Sequence, residues 1–143
     1  MRYVMLICTE ESVEAAQSPE EGSEEMAGYA AFGEEMGKRG VLTGGERLRP
    51  TTEATTVQVR DGKTLTFDGP FAETKELVAG FWIWEVNSIE EAVEWAKKCP
   101  NPMPGEESDL EIRPYYEAAD FGEGFTSEEQ AREADLRKRI GDV

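Results

Sequence analysis

Apolar and polar positions along this chain switch between the two-residue period of strands and the 3.6-residue period of helices. Residues 3–8 form a continuous apolar run, the pattern of a central strand. A charge-rich connection follows. Ser18-Pro19-Glu20-Glu21 then has the form of a helix start, with a serine cap, proline in the first turn and glutamate three residues on. Met26, Tyr29, Gly33 and Met36 share one helical face, with Phe32 beside it. Lys38 and Arg39 complement the carboxyl end of the helix dipole and Gly40 stops it, which predicts a helix over 19–39.

The next stretch, 41–48, contains Gly44-Gly45 and predicts a bent or bulged strand. Residues 55–60 alternate, Asp61-Gly62 is a two-residue hairpin signal, and 63–67 is the return strand. A loop over 68–76 leads into the longest strand, 77–86. There Phe81 and Ile83 point one way and Trp82, Trp84 and Val86 the other. Both faces are apolar. Helices can cover one, and a second subunit is the natural cover for the other. Ser88 and Glu91 form a capping box for a helix over 88–98, and 110–115 is a final strand. Thr126 and Glu129 repeat the box. The helix they open has only Ala131, Ala134, Leu136 and Ile140 as apolar positions, so a mostly exposed helix is expected. Strand, helix, three strands (two in a hairpin), helix, strand is an α+β, ferredoxin-like plan with an extra hairpin. It occupies residues 1–116, and 117–143 is an acidic C-terminal extension with a short helix.

Composition narrows the chemistry. The 143 residues suit one domain, and 31 acids against 15 bases leave a formal charge of -16. Such a surface repels phosphate backbones, so direct nucleic-acid binding is not expected. The chain has no histidine. That removes Ser-His-Asp and Cys-His nucleophiles and histidine-held metals, and leaves catalysis to carboxylates, Lys, Arg, Tyr or Cys. Cys8 and Cys99 are far apart with no C-x-x-C, so neither a disulfide framework nor a metal site is expected, and no cofactor is implied. The apolar start is too short for a signal peptide core or a membrane span, and a cytoplasmic location is expected.

The most specific segment is Asp68-Gly69-Pro70-Phe71-Ala72-Glu73-Thr74-Lys75-Glu76. Here the chain resembles the YCII-related proteins of the DGPF type. The resemblance extends over roughly residues 1–115, through RYVMLI, GFWIWEV, SIEEAVEWAKKCP and EIRP. It implies a ferredoxin-like domain that dimerises through its sheets into an α/β barrel. Members often lie near genes for sigma factors of the extracytoplasmic-function class, and their activity is generally unassigned. Relatives in the wider superfamily resemble enzymes with a His-Asp pair. This chain carries Gly28-Tyr29-Ala30-Ala31-Phe32 where they carry histidine, and only Asp68 corresponds to the acidic member.

Two functions follow as expectations. One is a homodimeric small-molecule-binding protein or cofactor-free enzyme with a carboxylate-bearing cleft. Asp68 is then the candidate catalytic residue, with Glu73, Lys75, Glu76, Arg113 and Tyr29 as candidate substrate-binding residues. The other is a non-catalytic regulatory partner, associated with a sigma factor by family context. For the segment itself, a rigid connector built from turn residues competes with a ligand site. Arg47 and Arg49 as an anion clamp, and Trp82 and Trp84 as an aromatic pocket, rank below solvated charge and core packing.

Overall fold

The computed structural model describes residues 1–69 and 76–141. Four strands form one antiparallel sheet in the order β2-β5-β1-β6: β1 (Arg2–Thr9), β2 (Leu42–Arg47), β5 (Leu77–Glu85) and β6 (Leu110–Pro114). Strand β1 is central, as its apolar run predicts, but its burial alternates. Tyr3, Met5, Ile7 and Thr9 are buried under the helices, while Val4, Leu6 and Cys8 face the other side half-buried. Cys8 is therefore no deep core thiol.

Helix α2 (Pro19–Arg39) spans the predicted residues because its ends are chemically fixed. The Ser18 hydroxyl accepts from the Glu21 amide at 3.3 Å, and the Glu21 carboxylate accepts from the Ser18 amide at 2.8 Å. Gly40 closes the helix at φ 70°, a conformation that favours glycine. Helix α3 (Ile89–Ala96) is also capped by Ser88. The Glu91 carboxylate, however, reaches past the cap to the Asn87 amide at 2.9 Å. Both helices cover the same sheet face. Phe32 and Met36 of α2 and Ala92 and Trp95 of α3 enclose Trp84 and the buried side of β1. The Trp84 indole N–H donates to Met36 Sδ at 3.0 Å, so even the polar edge of this core residue has a partner.

Strands β3 (Thr55–Arg60) and β4 (Lys63–Asp68) form a separate two-stranded sheet. Their turn places both Asp61 (φ 52°) and Gly62 (φ 71°) at positive φ, which matches the twist of a tight hairpin. Beyond β6, a 3-10 segment (Ala118–Gly124) leads to α4 (Ser127–Ile140). This helix buries none of its residues and carries ion pairs such as Arg137–Glu133 at 2.6 Å. No helix among the described residues is long and apolar enough to cross a membrane.

One element departs from the sequence pattern. The acidic connection after β1 contains a short helix, α1 (Glu11–Ala15), with no buried residue. Five residues without an apolar stripe carry no periodic signal. Tertiary bonds hold the helix instead, since the Glu11 carboxylate accepts from both the amide and the hydroxyl of Thr51 at 2.6 Å.

Two glycines report on this packing in opposite ways. A Cβ on Gly22 in α2 meets nothing within 4 Å, whereas one on Gly45 in β2 would lie 2.7 Å from Trp82 Cε3 and 2.8 Å from the Phe81 carbonyl oxygen. In urea titrations, Gly22→Ala should stabilise by about 0.5–1 kcal/mol. Gly45→Ala should destabilise by about 1–3 kcal/mol through overpacking.

Candidate functional site

The bulge in β2 has a consequence for the sheet surface. Register shifts between Leu42 and Gly44, and Gly45 then sits opposite Trp82 and Arg47 opposite Gly80. Gly45 and Gly80 both lack room for a Cβ; at Gly80 it would lie 2.8 Å from the Glu46 carbonyl oxygen. The floor between β2 and β5 is therefore bare backbone. Trp82 lies across it, edge-on to Phe32 of α2 with ring centroids 5.9 Å apart. Over this floor a cavity of about 300 Å³ opens between α2 and the sheet, bordered by α1 and by Pro102 after α3.

Most of its wall is apolar, and four of its residues share a property. Among the described residues, Thr9 Oγ1, Glu25 Oε2, Tyr29 OH and Trp82 Nε1 are buried without a hydrogen-bond partner, and all four residues line this cavity. Thr9 is 1% exposed. A buried polar atom left unpaired costs roughly 1–3 kcal/mol, so four such residues around one cavity single it out as the candidate site. At the mouth, Arg47 lies 4.0 Å from Glu14 of α1 and donates to Met26 Sδ at 3.0 Å. Burial, reinforced by Cys99 and the nearby charges of Glu25 and Glu14 and opposed by Arg47, holds the Tyr29 phenol above its ordinary pKa of 10.0. Tyr29 therefore stays a neutral hydroxyl that can both donate and accept.

The residues expected from sequence are dispersed. Tyr29 lines the cavity. Arg113 pairs in register with Val4, on the opposite face of the sheet, and lies exposed 3.7 Å from Glu111. Glu76 stands exposed just before β5. Its charge acts on Cys8, whose thiol is pushed up by burial and then by Glu111, Glu76 and Asp109. Asp68 ends β4, exposed and in register with Thr55, and is not among the residues lining the cavity. The next residue is anchored. The Gly69 amide donates to the Ala54 carbonyl at 2.6 Å, and the Thr56 hydroxyl donates to the Gly69 carbonyl at 2.7 Å. Glu73 and Lys75 lie outside the described residues. Arg47 and Arg49 form no joint clamp, because Arg49 pairs with Glu53 at 2.8 Å while Arg47 meets Glu14. Of the two tryptophans, Trp84 is core and Trp82 lines the cavity.

Thr9, Glu14 and Gly80 line the cavity without having drawn notice in the sequence, and Glu25 and Gly45 drew notice only as part of an acidic pair and of a bulge. The available signal was the glycines, since Gly44-Gly45 and Gly80 interrupt strands where a close approach is the usual cause. A second, broader depression of about 540 Å³ lies between the start of β1 and α4. Its charges are engaged with each other, as in Arg2–Glu117 at 3.3 Å and Arg137–Glu133 at 2.6 Å.

Residues 1–116 match the family model for the YCII-related domain. The chain belongs to the YCII-related family. An uncharacterised protein of Rhizobium meliloti (strain 1021) is 39% identical over 114 residues, covering 80% of this chain and 91% of that relative. The region shared with the family contains β1 to β6 and every residue of the cavity, and ends before α4.

Tyr29 gives a pH-dependent check. Between the ordinary tyrosine pKa and the higher folded value, the unfolded chain releases a proton that the folded chain keeps. Stability from this residue is thus complete below pH 10 and falls as pH rises above it. Denaturation followed against pH should show a shallower alkaline decline in Tyr29→Phe than in the parent chain. At neutral pH that variant should lose about 1 kcal/mol or less, because the hydroxyl it removes has no partner.

Proposed function

We propose that this YCII-related protein is a homodimeric small-molecule-binding protein or cofactor-free enzyme, and that its ligand occupies the cavity between α2 and the sheet. The observation that carries this is a largely apolar cavity of about 300 Å³ whose lining includes Thr9, Glu25, Tyr29 and Trp82, four residues with buried polar atoms that have no partner among the described residues. A mostly apolar lining with a few placed polar groups is the usual composition of a ligand site. Thermal unfolding against a panel of small amphipathic metabolites should find compounds that stabilise the chain, by about 2.7 kcal/mol at a hundredfold excess over Kd. Ala30→Trp, at an exposed helical position on the cavity rim, should abolish those shifts while leaving the unliganded midpoint nearly unchanged. Shifts that survive this substitution would place the ligand elsewhere.

The fold belongs to the same proposal. Antiparallel order β2-β5-β1-β6 with α2 and α3 on one face fits the ferredoxin-like plan, with β3–β4 inserted. Two apolar surfaces then call for a second subunit. The outer sheet face carries half-buried Val4, Leu6 and Phe81. The hairpin leaves Val59 73% and Phe67 44% exposed, and a lone two-stranded hairpin is marginal in water. Sedimentation at micromolar concentration should give about twice 15.9 kDa. Val59→Asp should shift that mass toward one chain without unfolding it, and a monomeric parent protein would contradict the dimer.

Asp68, the residue that corresponds to the acid of the superfamily's His-Asp pair, lies exposed outside the cavity lining, so a catalytic role for it would be exercised at a second surface and not on the ligand in the cavity. Its position at a strand end suits a proton-transfer group held on a rigid element. Asp68→Asn separates the two uses of this residue. Loss of turnover or ligand affinity with an unchanged melting point fits a catalytic carboxylate, and unchanged binding with a small stability loss fits a turn residue.

A further inference from the structure

We propose that Met26 is a reversible oxidation site at the cavity mouth: a peroxide converts its thioether to the sulfoxide, whose oxygen takes up the Arg47 guanidinium and ties α2 to β2. The site stands whether or not the cavity takes a ligand. Of the methionines, Met5, Met36 and Met103 are buried, so an oxidant in solution does not reach their sulfurs. Met1 and Met26 are 63% and 50% exposed. What separates these two is the neighbour of the sulfur. Met1 Sδ faces the neutral Tyr3 hydroxyl at 3.6 Å, whereas Met26 Sδ accepts from Arg47 Nη1 at 3.0 Å. Among the described residues, Met26 is the one methionine whose sulfur meets a charged donor; the sulfurs of Met36 and Met103 accept from an indole and a backbone amide.

The reduced contact is weak on both sides. A thioether is a poor acceptor, and a guanidinium carries more N–H donors than one sulfur can use. The other described partner of Arg47 is Glu14, 4.0 Å from Nη2, which is too long for a hydrogen bond. Oxidation changes the acceptor. The sulfur attacks one peroxide oxygen, and the O–O bond breaks as the S–O bond forms. The proton of the transferred oxygen passes to the departing hydroxide, which leaves as water. The sulfur is oxidised and the peroxide reduced. The new oxygen is a polar acceptor bonded to the very sulfur that Arg47 Nη1 already touches, so side-chain rotation is enough to bring the two together. A hydrogen bond from a guanidinium is about twice as strong as one between neutral groups. Met26 belongs to α2 and Arg47 to β2, and both line the cavity, so the bond joins two of its walls. An apolar lip becomes polar in the same step.

The test treats the full chain with dilute hydrogen peroxide at neutral pH. Peptide mass spectrometry should find an added oxygen on Met26 and on Met1, with Met5, Met36 and Met103 unmodified. In a proton–nitrogen NMR spectrum the Arg47 Nε–H signal, assigned through Arg47→Lys, should shift on oxidation and exchange with water several-fold more slowly, because the new bond holds the guanidinium. Methionine sulfoxide reductases for both sulfoxide epimers, supplied with a dithiol, should return the signal to its starting place. Met26→Leu keeps the size and apolar character of an exposed position, so it should fold as the parent does. Given the same peroxide, it should oxidise at Met1 and show no change at Arg47. Met26 left reduced while Met1 is oxidised would overturn the proposal. So would a Met26 sulfoxide that leaves the Arg47 signal unmoved, or an Arg47 shift that persists in Met26→Leu.

Discussion

The indole of Trp82 rests on glycine. A Cβ at Gly45 would press into its ring, so β2 can close around it only because it carries no side chain there, while one at Gly33 of α2 would make ordinary contact with Cη2 at 3.4 Å. Phe32 then meets the ring edge-on and fixes its tilt. With Trp82 held flat over β2, and with Gly80 bare beside it, the layer between helix and sheet is left unfilled at one end. Trp84, two residues on, lies in the same layer but is filled from above by Met36. The same helix and the same strand thus make a closed core at one end and a cavity at the other. The difference lies in side-chain size on the facing positions.

This arrangement also explains why α1 matters despite burying nothing. Its Glu11 holds Thr51 and its Glu14 lies near Arg47, so a five-residue acidic helix is tied across the cavity mouth by charge and hydrogen bonds rather than by packing. The acids after β1 are therefore in part structural. α2 adds to the excess of negative charge, with six glutamates against Lys38 and Arg39, whereas the four acids of α4 are balanced by four bases.

Much of the architecture was legible from sequence because it is set by local chemistry. Ser18, Pro19 and Glu21 at one end of α2, and Lys38, Arg39 and Gly40 at the other, specify its boundaries without reference to the rest of the chain. Asp61-Gly62 does the same for the hairpin. The cavity was not legible, for the opposite reason. Thr9, Glu25, Tyr29, Arg47 and Trp82 come from separate elements, follow no spacing, and meet only when β1, α2, β2 and β5 pack. Tyr29, Arg47 and Trp82 each drew notice singly, but sequence order does not put them together. Of the motif that stands out most in the sequence, Asp68 ends the separate hairpin and is not among the described residues that line the cavity.

One measurement bears most directly on the cavity. The chain has three tryptophans, Trp82, Trp84 and Trp95, hence three indole N–H signals in a proton–nitrogen NMR spectrum, assignable through Trp82→Phe. Trp84 already donates to Met36, and Trp95 lies in the core beneath α3. Trp82 lines the cavity, and its N–H has no partner among the described residues. Titration with a compound that stabilises the chain against thermal unfolding should shift the Trp82 indole signal saturably, with Trp84 and Trp95 nearly still. A Trp82 signal that stays fixed while that compound saturates its binding would show that the cavity is not where this protein takes its ligand.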